Sequence, residues 1–230
     1  GGRDNAFTSK DYTAYFQQVP KQKLAQMMQL EADRMRHLNL TPEAFKQEIK
    51  VVMEERRLRT DDQAPALLVE QMSAVAFVAH PYRAPVIGWM NDLENMTVED
   101  ARHWYERWYA PNNALVVVVG DVDHRAVFKL AEQYYGPLAR RAILPRKPQQ
   151  EPEQTGIRRL TVKAPAESSI VLMAYKVPVL RDVERDSDPY ALEMLAEMLD
   201  GHDAARLSKN LVREQLLATS TGASCNPTAR

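Results

Sequence analysis

Residues 45–57 read FKQEIKVVMEERR, a stretch with the pattern of a helix that has one apolar face. Thr41 and Pro42 stand just before it as an N-cap and a proline at the first helical position. Its apolar side chains then recur at steps of three and four residues, which is typical of a helix with one buried face. The pattern predicts a single helix from about residue 42 toward residue 59.

Two carboxylates of this helix are expected to share a face. Glu48 and Glu55 are seven residues apart, so at 100° per residue they lie within about 20° of each other. Val51 and Val52 lie between them, which predicts a partly buried face where an unpaired carboxylate is costly. Something must therefore neutralise the pair. A solvated helix surface would do so through the arginines that follow, Arg56, Arg57 and Arg59.

Helices and strands surround this helix in a mixed order. Residues 4–19 combine aromatic and β-branched side chains, which predicts one bent strand or a short strand pair. Further helical patterns cover about 21–38, 65–79, 97–109 and 123–135. Residues 114–123, ALVVVVGDVD, are typical of a strand buried on both faces.

A proline-rich segment divides the chain. Four prolines and no apolar period fall within residues 136–156, which indicates a linker. Strand patterns follow at IRRLTVKA (157–164), SSIVLMAYKV (168–177) and LATSTGASC (217–225), with helical patterns at about 188–199 and 204–216. The order predicts an α+β protein of two related units, with residues 1–138 in the first, 139–156 as the linker and 157–230 opening the second.

Composition excludes several functions. Thirty basic and thirty-one acidic residues leave a net charge of -1, with no basic run to follow a nucleic acid. No stretch reaches the ~18 apolar residues of a membrane span. The single cysteine, Cys225, permits no internal disulfide and no thiolate zinc site, and is expected to be buried or half-buried. Because Gly1 is not a methionine, a leader or an earlier segment is expected before it.

Five stretches in the right order resemble the insulinase/pitrilysin family of zinc metallopeptidases. They are GGRDNAFTSKDYTAYF (1–16), LEADRM (30–35), EIKVVMEERR (48–57), HPYRAPVIG (80–88) and WYAPNNALVVVVGDVD (108–123). Residues 201–220, GHDAARLSKNLVREQLLATS, resemble the second unit of the same family. The resemblance implies two sandwich-type units of mostly antiparallel sheet covered by helices, the first truncated at its N-terminus.

The resemblance also implies a zinc site that this chain shares only in part. Family members hold Zn²⁺ with a His-x-x-Glu-His motif and a glutamate on a later helix, which corresponds to Glu55; Glu48 matches a second glutamate that supports the ligands. No His-x-x-Glu-His occurs in residues 1–230, and the nearest approach, His103 with Glu106, has arginine at position 107. We expect the motif upstream, no catalytic residue in this chain, zinc in the intact enzyme and none on this chain alone.

Peptide binding is expected at the first strand. Family members bind extended peptides along the edge beside an Asn-Ala-x-Thr motif, which here is Asn5, Ala6, Phe7 and Thr8. Main-chain pairing gives affinity with little sequence preference. An ordinary edge strand is the alternative interpretation.

Three functional classes remain open from the sequence. The first is a portion of a zinc metalloendopeptidase that hydrolyses peptides or small unfolded proteins, inactive as an isolated chain. The second is a non-catalytic partner subunit of a heteromeric peptidase of the same family, and the third is an unrelated α+β binding module. Exposed sheet edges predict a homo- or hetero-oligomer. The bacterial periplasm and the cytoplasm both remain open as compartments.

Overall fold

The computed structural model describes residues 1–228, and the chain divides into two compact units, the first covering residues 1–170 and the second beginning at residue 171. The structure is α+β, helix-rich with one small antiparallel sheet. How the chain divides into a first unit, a linker at 139–156 and a second unit stays a prediction. No helix of the described residues is both long enough and apolar enough to cross a membrane.

The first unit opens with a hairpin. Strands β1 (Arg3–Thr8) and β2 (Thr13–Gln18) pair antiparallel in the register Arg3 to Gln18. Of the two alternatives predicted for residues 4–19, the short strand pair is therefore the one that forms. The hairpin packs its aromatic side chains against one another on its surface, where Phe7 contacts Tyr12 edge-on and Phe16 at a tilt.

Helices make up most of the remaining regular structure. Those of the first unit are α1 (Leu24–His37), α2 (Pro42–Arg56), α3 (Ala64–Ala76), α4 (Met90–Asn95), α5 (Val98–Trp108) and α6 (His124–Tyr135). A π-helical segment, Arg57–Asp61, continues α2, and the short α4 has no counterpart among the predicted helices. The second unit holds α7 (Asp188–Asp200) and a π-helical segment, Ser208–Glu214.

Local capping chemistry fixes where several of these helices begin. The Thr97 hydroxyl accepts from the Asp100 amide, and the Asp100 carboxylate accepts from the Thr97 amide, which completes a capping box at α5. Asp123 caps α6 by accepting from the Ala126 amide at 2.8 Å. These starts agree with the sequence pattern because the groups that form them are neighbours in the chain.

The core of the first unit is small. Helix α1 packs against α6, and α2 packs against α4 and α5. The buried apolar side chains of this unit are Met28, Ala32, Leu93, Val98 and Ala110. Cys225, in the second unit, is half-buried, as expected from the sequence.

Four of the predicted strands do not form in the described residues, and those predictions are wrong. Segments 114–123, 157–164, 168–177 and 217–225 form no ladder. Leu115 is 88% exposed and Val119 is 92% exposed, so the run expected to be buried on both faces lies open to solvent. A strand needs a neighbour for its backbone N–H and C=O groups, and β propensity records how well a side chain packs on such a neighbour.

Candidate functional site

The two predicted carboxylates lie on α2. The Thr41 hydroxyl caps the helix by accepting from the Ala44 amide at 3.1 Å, and α2 then runs unbroken through Glu48 and Glu55. Glu48 is exposed, and the side chain of Glu55 is 39% exposed. The face between them is more open than expected, since Val51 is 57% exposed. These positions allow both carboxylates to contact a group that approaches from outside the helix.

Two of the three arginines after Glu55 form ion pairs on the surface of this helix end. Arg59 Nη1 lies 2.6 Å from Glu55 Oε1, and Arg57 Nη1 lies 3.0 Å from Glu54 Oε2. All four side chains are at least 39% exposed. The interpretation as solvated helix surface describes these two pairs. Neither pair is expected to contribute more than about 1 kcal/mol in water.

The third arginine departs from that interpretation, because Arg56 is buried. Its guanidinium forms a bidentate pair with Glu70 on α3, with Nη1 to Oε2 at 2.8 Å and Nη2 to Oε1 at 3.0 Å. Arg56 is 5% exposed and Glu70 is 8% exposed. We call this pair the Arg56–Glu70 clamp. The hydrogen bonds that Arg56 donates to Glu70 raise the pKa of Arg56 above its usual value, against the effect of burial.

Sequence reasoning missed the clamp. In the sequence Arg56, Arg57 and Arg59 all follow Glu55 in one polar stretch, and nothing in the pattern distinguishes Arg56 from the other two or points to Glu70. The partner is fourteen residues away on another helix, so no helical spacing connects the two. Only tertiary packing brings them together.

Glu55 has the chemistry of a zinc ligand, and the described residues supply one such ligand rather than a complete site. Carboxylate oxygen is an accepted donor to zinc, and the side chain of Glu55 is open to solvent. In residues 1–228, no group of three or more His, Cys, Asp or Glu side chains is arranged to hold a metal ion. Zinc at Glu55 would require further donors from outside these residues.

The histidines have separate surroundings. His103 is exposed on α5, and His37 pairs with Asp33 at 2.9 Å on α1. His80 Nδ1 accepts from the Tyr82 amide at 3.3 Å and so caps the short turn Pro81–Arg83. The imidazoles of His37 and His80 thus make contacts with residues near them in the chain.

The predicted peptide-binding residues Asn5, Ala6, Phe7 and Thr8 lie together on β1 and all are exposed. Strand β1 pairs with β2 on one side, and in the described residues no strand pairs with its other side. The Ala6 amide donates to Asn5 Oδ1 at 2.8 Å. The strand therefore offers an exposed edge of the kind that accepts an extended peptide.

The tip of the hairpin is tied to the turn at Pro81–Arg83. Lys10 Nζ donates to the carbonyl oxygens of Tyr82, at 3.0 Å, and of Ala84. The Tyr82 hydroxyl donates to Asp11 Oδ2 at 2.5 Å. Burial lowers the pKa of Lys10 by removing its ammonium from water, while the negative charge of Glu70 opposes that shift. The hairpin edge and the turn are thus held by charged and backbone groups together.

A carboxylate from the proline-rich segment fixes the same turn from another side. Glu151 accepts hydrogen bonds from three consecutive backbone amides, those of Val78, Ala79 and His80, at 2.8 to 3.0 Å. Arg158 donates to the Ala76 carbonyl at the end of α3. Although no apolar period marks residues 136–156, part of this segment is bound to the first unit.

Known protein families match both parts of the chain. Residues 1–88 match the family model described as Insulinase (Peptidase family M16), and residues 95–230 match the model described as Peptidase M16 inactive domain. The zinc protease PqqE of Helicobacter pylori is 35% identical over 222 residues, which are 95% of this chain and 49% of that protein. An uncharacterized zinc protease of Mycobacterium leprae is 31% identical over 96% of this chain and 49% of its own length. The chain thus spans about half the length of these relatives.

A more distant relative and two solved structures extend the comparison. The probable mitochondrial-processing peptidase subunit beta of Schizosaccharomyces pombe is 25% identical over 60% of this chain and 30% of its own length. The crystal structure of a protease from Helicobacter pylori superposes with a TM-score of 0.84 and 32% identity, over 99% of this chain and 55% of that one. The periplasmic protease PqqL from Escherichia coli gives a TM-score of 0.56 and 27% identity, over 64% of this chain and 17% of its own.

Proposed function

Because the chain belongs to the insulinase peptidase family, we propose that it is a portion of a zinc-dependent metalloendopeptidase. In this proposal Glu55 is a zinc ligand and Glu48 supports the ligand set from one side. The remaining donors come from residues outside those described. When bound, zinc would supply an acidified water for attack on a peptide carbonyl.

The position of Glu55 is the observation that carries this proposal. Its carboxylate lies one residue before the end of α2, is 39% exposed, and faces an arginine that is itself 76% exposed. An arginine held by a surface ion pair can move aside at little cost, since such pairs are worth at most about 1 kcal/mol. Glu55 is therefore available to a cation, whereas a carboxylate in a buried pair, such as Glu70, is not.

The exposed edge of β1 supports a peptide as the substrate. Asn5, Ala6, Phe7 and Thr8 present backbone groups along an edge that has no strand beside it in residues 1–228. Backbone pairing at this edge would bind an extended chain with little regard to its side chains. We propose peptides or small unfolded proteins as substrates, and the isolated 230-residue chain as inactive because it holds one ligand only.

The test compares Glu55→Gln with Glu54→Gln in the complete product of the gene. Both substitutions remove one carboxylate charge at adjacent positions, so the second controls for charge and for helix stability. We expect the wild type and Glu54→Gln to retain about one zinc per chain after dialysis and to cleave an unstructured peptide, because only Glu55 is a ligand. Glu55→Gln should lose both properties. A Glu55→Gln protein that keeps its zinc would contradict the proposal.

A non-catalytic partner subunit of a heteromeric peptidase is the second candidate. One observation favours it, because residues 95–230 match the inactive-domain model. A relative named as a peptidase subunit is consistent with association between related chains. Two measurements distinguish the candidates, since a partner subunit would hold no zinc by itself and would raise the activity of a related subunit when mixed with it.

The compartment is also a proposal. A structural neighbour is described as periplasmic, which favours the bacterial periplasm over the cytoplasm for this chain. Fractionation of the native host, with antibody detection of the complete protein, would distinguish the two.

A further inference from the structure

Arg56, the residue that follows the proposed zinc ligand Glu55, contacts three separate segments of the chain. Its guanidinium pairs with Glu70 of α3, donates to the Gly88 carbonyl at 2.8 Å, and lies 3.3 Å from Asp61 at the end of the π-helical segment. The ring of Trp89 lies 5.9 Å from the guanidinium carbon. One side chain thereby joins the end of α2 to α3 and to the loop before α4.

The arrangement leaves Arg56 little freedom to move. A planar guanidinium in a bidentate pair is fixed in direction as well as in distance. The Gly88 carbonyl reaches it from a backbone with φ of +87°, a conformation that favours glycine. Arg56 Nε is buried and has no hydrogen-bond partner among the described residues. An unpaired buried donor is unfavourable, which is consistent with a side chain whose position is set by its other contacts.

The clamp lies where the backbone would otherwise be least constrained. Helix α2 ends at Arg56, and Arg57–Asp61 continue as a π-helical segment, a geometry that occurs mostly as short stretches and often at functional sites. Helix ends open locally unless tertiary contacts hold them. Glu55 precedes this junction by one residue, and its own side chain makes only an exposed ion pair. The direction of the Glu55 carboxylate therefore depends on what fixes Arg56.

We propose that Arg56 is a positioning residue, and that the Arg56–Glu70 clamp holds the last turn of α2 so that Glu55 points toward its cation. This inference rests on the proposed function of Glu55 as a zinc ligand. Glu70 acts through Arg56 in the same way and touches neither zinc nor peptide. Residues that orient metal ligands typically change metal affinity or activity by about 10- to 100-fold when they are replaced.

The experiment uses the complete gene product, loaded with zinc, in three variants. Glu70→Gln removes the negative charge of the clamp. Arg56→Lys keeps the positive charge but cannot form the bidentate pair. Glu54→Gln is the matched control, because it removes a carboxylate from the exposed pair with Arg57. The rate of zinc loss to a chelator, and kcat and KM for an unstructured peptide, are measured at a temperature where each variant is folded by circular dichroism.

We expect Glu70→Gln and Arg56→Lys to lose zinc at least about tenfold faster than the wild type, as for other residues that orient ligands. Their kcat should fall while KM changes by less than about twofold, because the β1 edge is untouched. Glu54→Gln should match the wild type. If both clamp variants lose zinc at the wild-type rate, even with a lowered melting temperature, the proposed positioning role of the clamp is wrong. The proposed function of Glu55 would be unaffected by that result. A wild-type protein that holds no zinc would overturn both.

Discussion

Arg59 Nη1 lies 2.6 Å from Glu55 Oε1, one helical turn further along the chain, so the proposed zinc ligand is paired with an arginine. The pair is exposed on the arginine side, where 76% of the side chain is open to solvent. A cation that binds Glu55 at Oε1 must displace this guanidinium, and one that binds at Oε2 is repelled by its positive charge. Arg59 is therefore expected to compete with zinc.

Replacing Arg59 by glutamine should strengthen zinc binding modestly. Removal of a surface ion pair changes the free energy by up to about 1 kcal/mol, or up to about fivefold in affinity. Chelator competition on the complete gene product would measure the change. Arg57→Gln serves as the control because its partner is Glu54. Weaker zinc binding in Arg59→Gln would mean that Arg59 supports the ligand instead of competing with it.

The helices were predictable from the sequence because the groups that fix them are close in the chain. Thr41 and Pro42 begin α2, and the capping box of Thr97 and Asp100 begins α5. In each case side chain and backbone partner are three residues apart. The placement of Glu48 and Glu55 on one helix followed from the same local periodicity.

The strands and the clamp could not be predicted in the same way. The valines of residues 116–119 have high β propensity, yet they form a ladder only beside another strand, and none of the described residues provides one. The pairing of Arg56 with Glu70 depends on how α2 and α3 pack. Both features depend on contacts distant in sequence, which a pattern along one segment does not contain.

Breaking the clamp should destabilise the first unit. Arg56→Met leaves the Glu70 carboxylate buried without its partner, and removing one member of a buried ion pair costs about 3–5 kcal/mol. Arg57→Met, which breaks the exposed pair with Glu54, should cost no more than about 1 kcal/mol. Urea unfolding of the 230-residue chain measures both.

The double substitution Arg56→Met with Glu70→Leu tests whether the instability of Arg56→Met comes from the buried Glu70 carboxylate left without a partner. Replacing a buried pair by apolar side chains of similar volume is often neutral or stabilising. We expect the double variant to be more stable than Arg56→Met alone. Equal stability of the two would show that the loss in Arg56→Met does not come from an uncompensated carboxylate.

The stability of α5 should depend on acid pH through Asp100. Hydrogen bonds from the Thr97 hydroxyl and the Thr97 amide lower the pKa of Asp100 below its ordinary value of 3.8. A lowered folded-state pKa contributes stability that is complete above the ordinary value and disappears as the pH falls through the folded-state value. Asp100→Asn should therefore be less stable than the wild type at neutral pH, with the difference closing in acid below pH 3.8.

Thermal unfolding across a pH series would check this prediction. Glu99→Gln removes a charge from the same helical turn without removing a capping bond, so it should cost less stability at neutral pH. An Asp100→Asn deficit that stays constant into strong acid would show that the loss has a cause other than the ionised carboxylate.

Two substitutions at Ala6 on the edge of β1 can distinguish backbone pairing with a peptide from contact with its side chains. Ala6→Pro removes the amide that donates to Asn5 Oδ1 and disturbs the exposed edge. Ala6→Val keeps that amide and adds a β-branched side chain that suits a strand. If an extended peptide pairs with this edge, Ala6→Pro should raise KM for an unstructured peptide several-fold in the complete gene product, with kcat less affected. Ala6→Val should stay close to the wild type. Circular dichroism must show that both variants are folded, and an unchanged KM in a folded Ala6→Pro protein would mean that the substrate binds elsewhere.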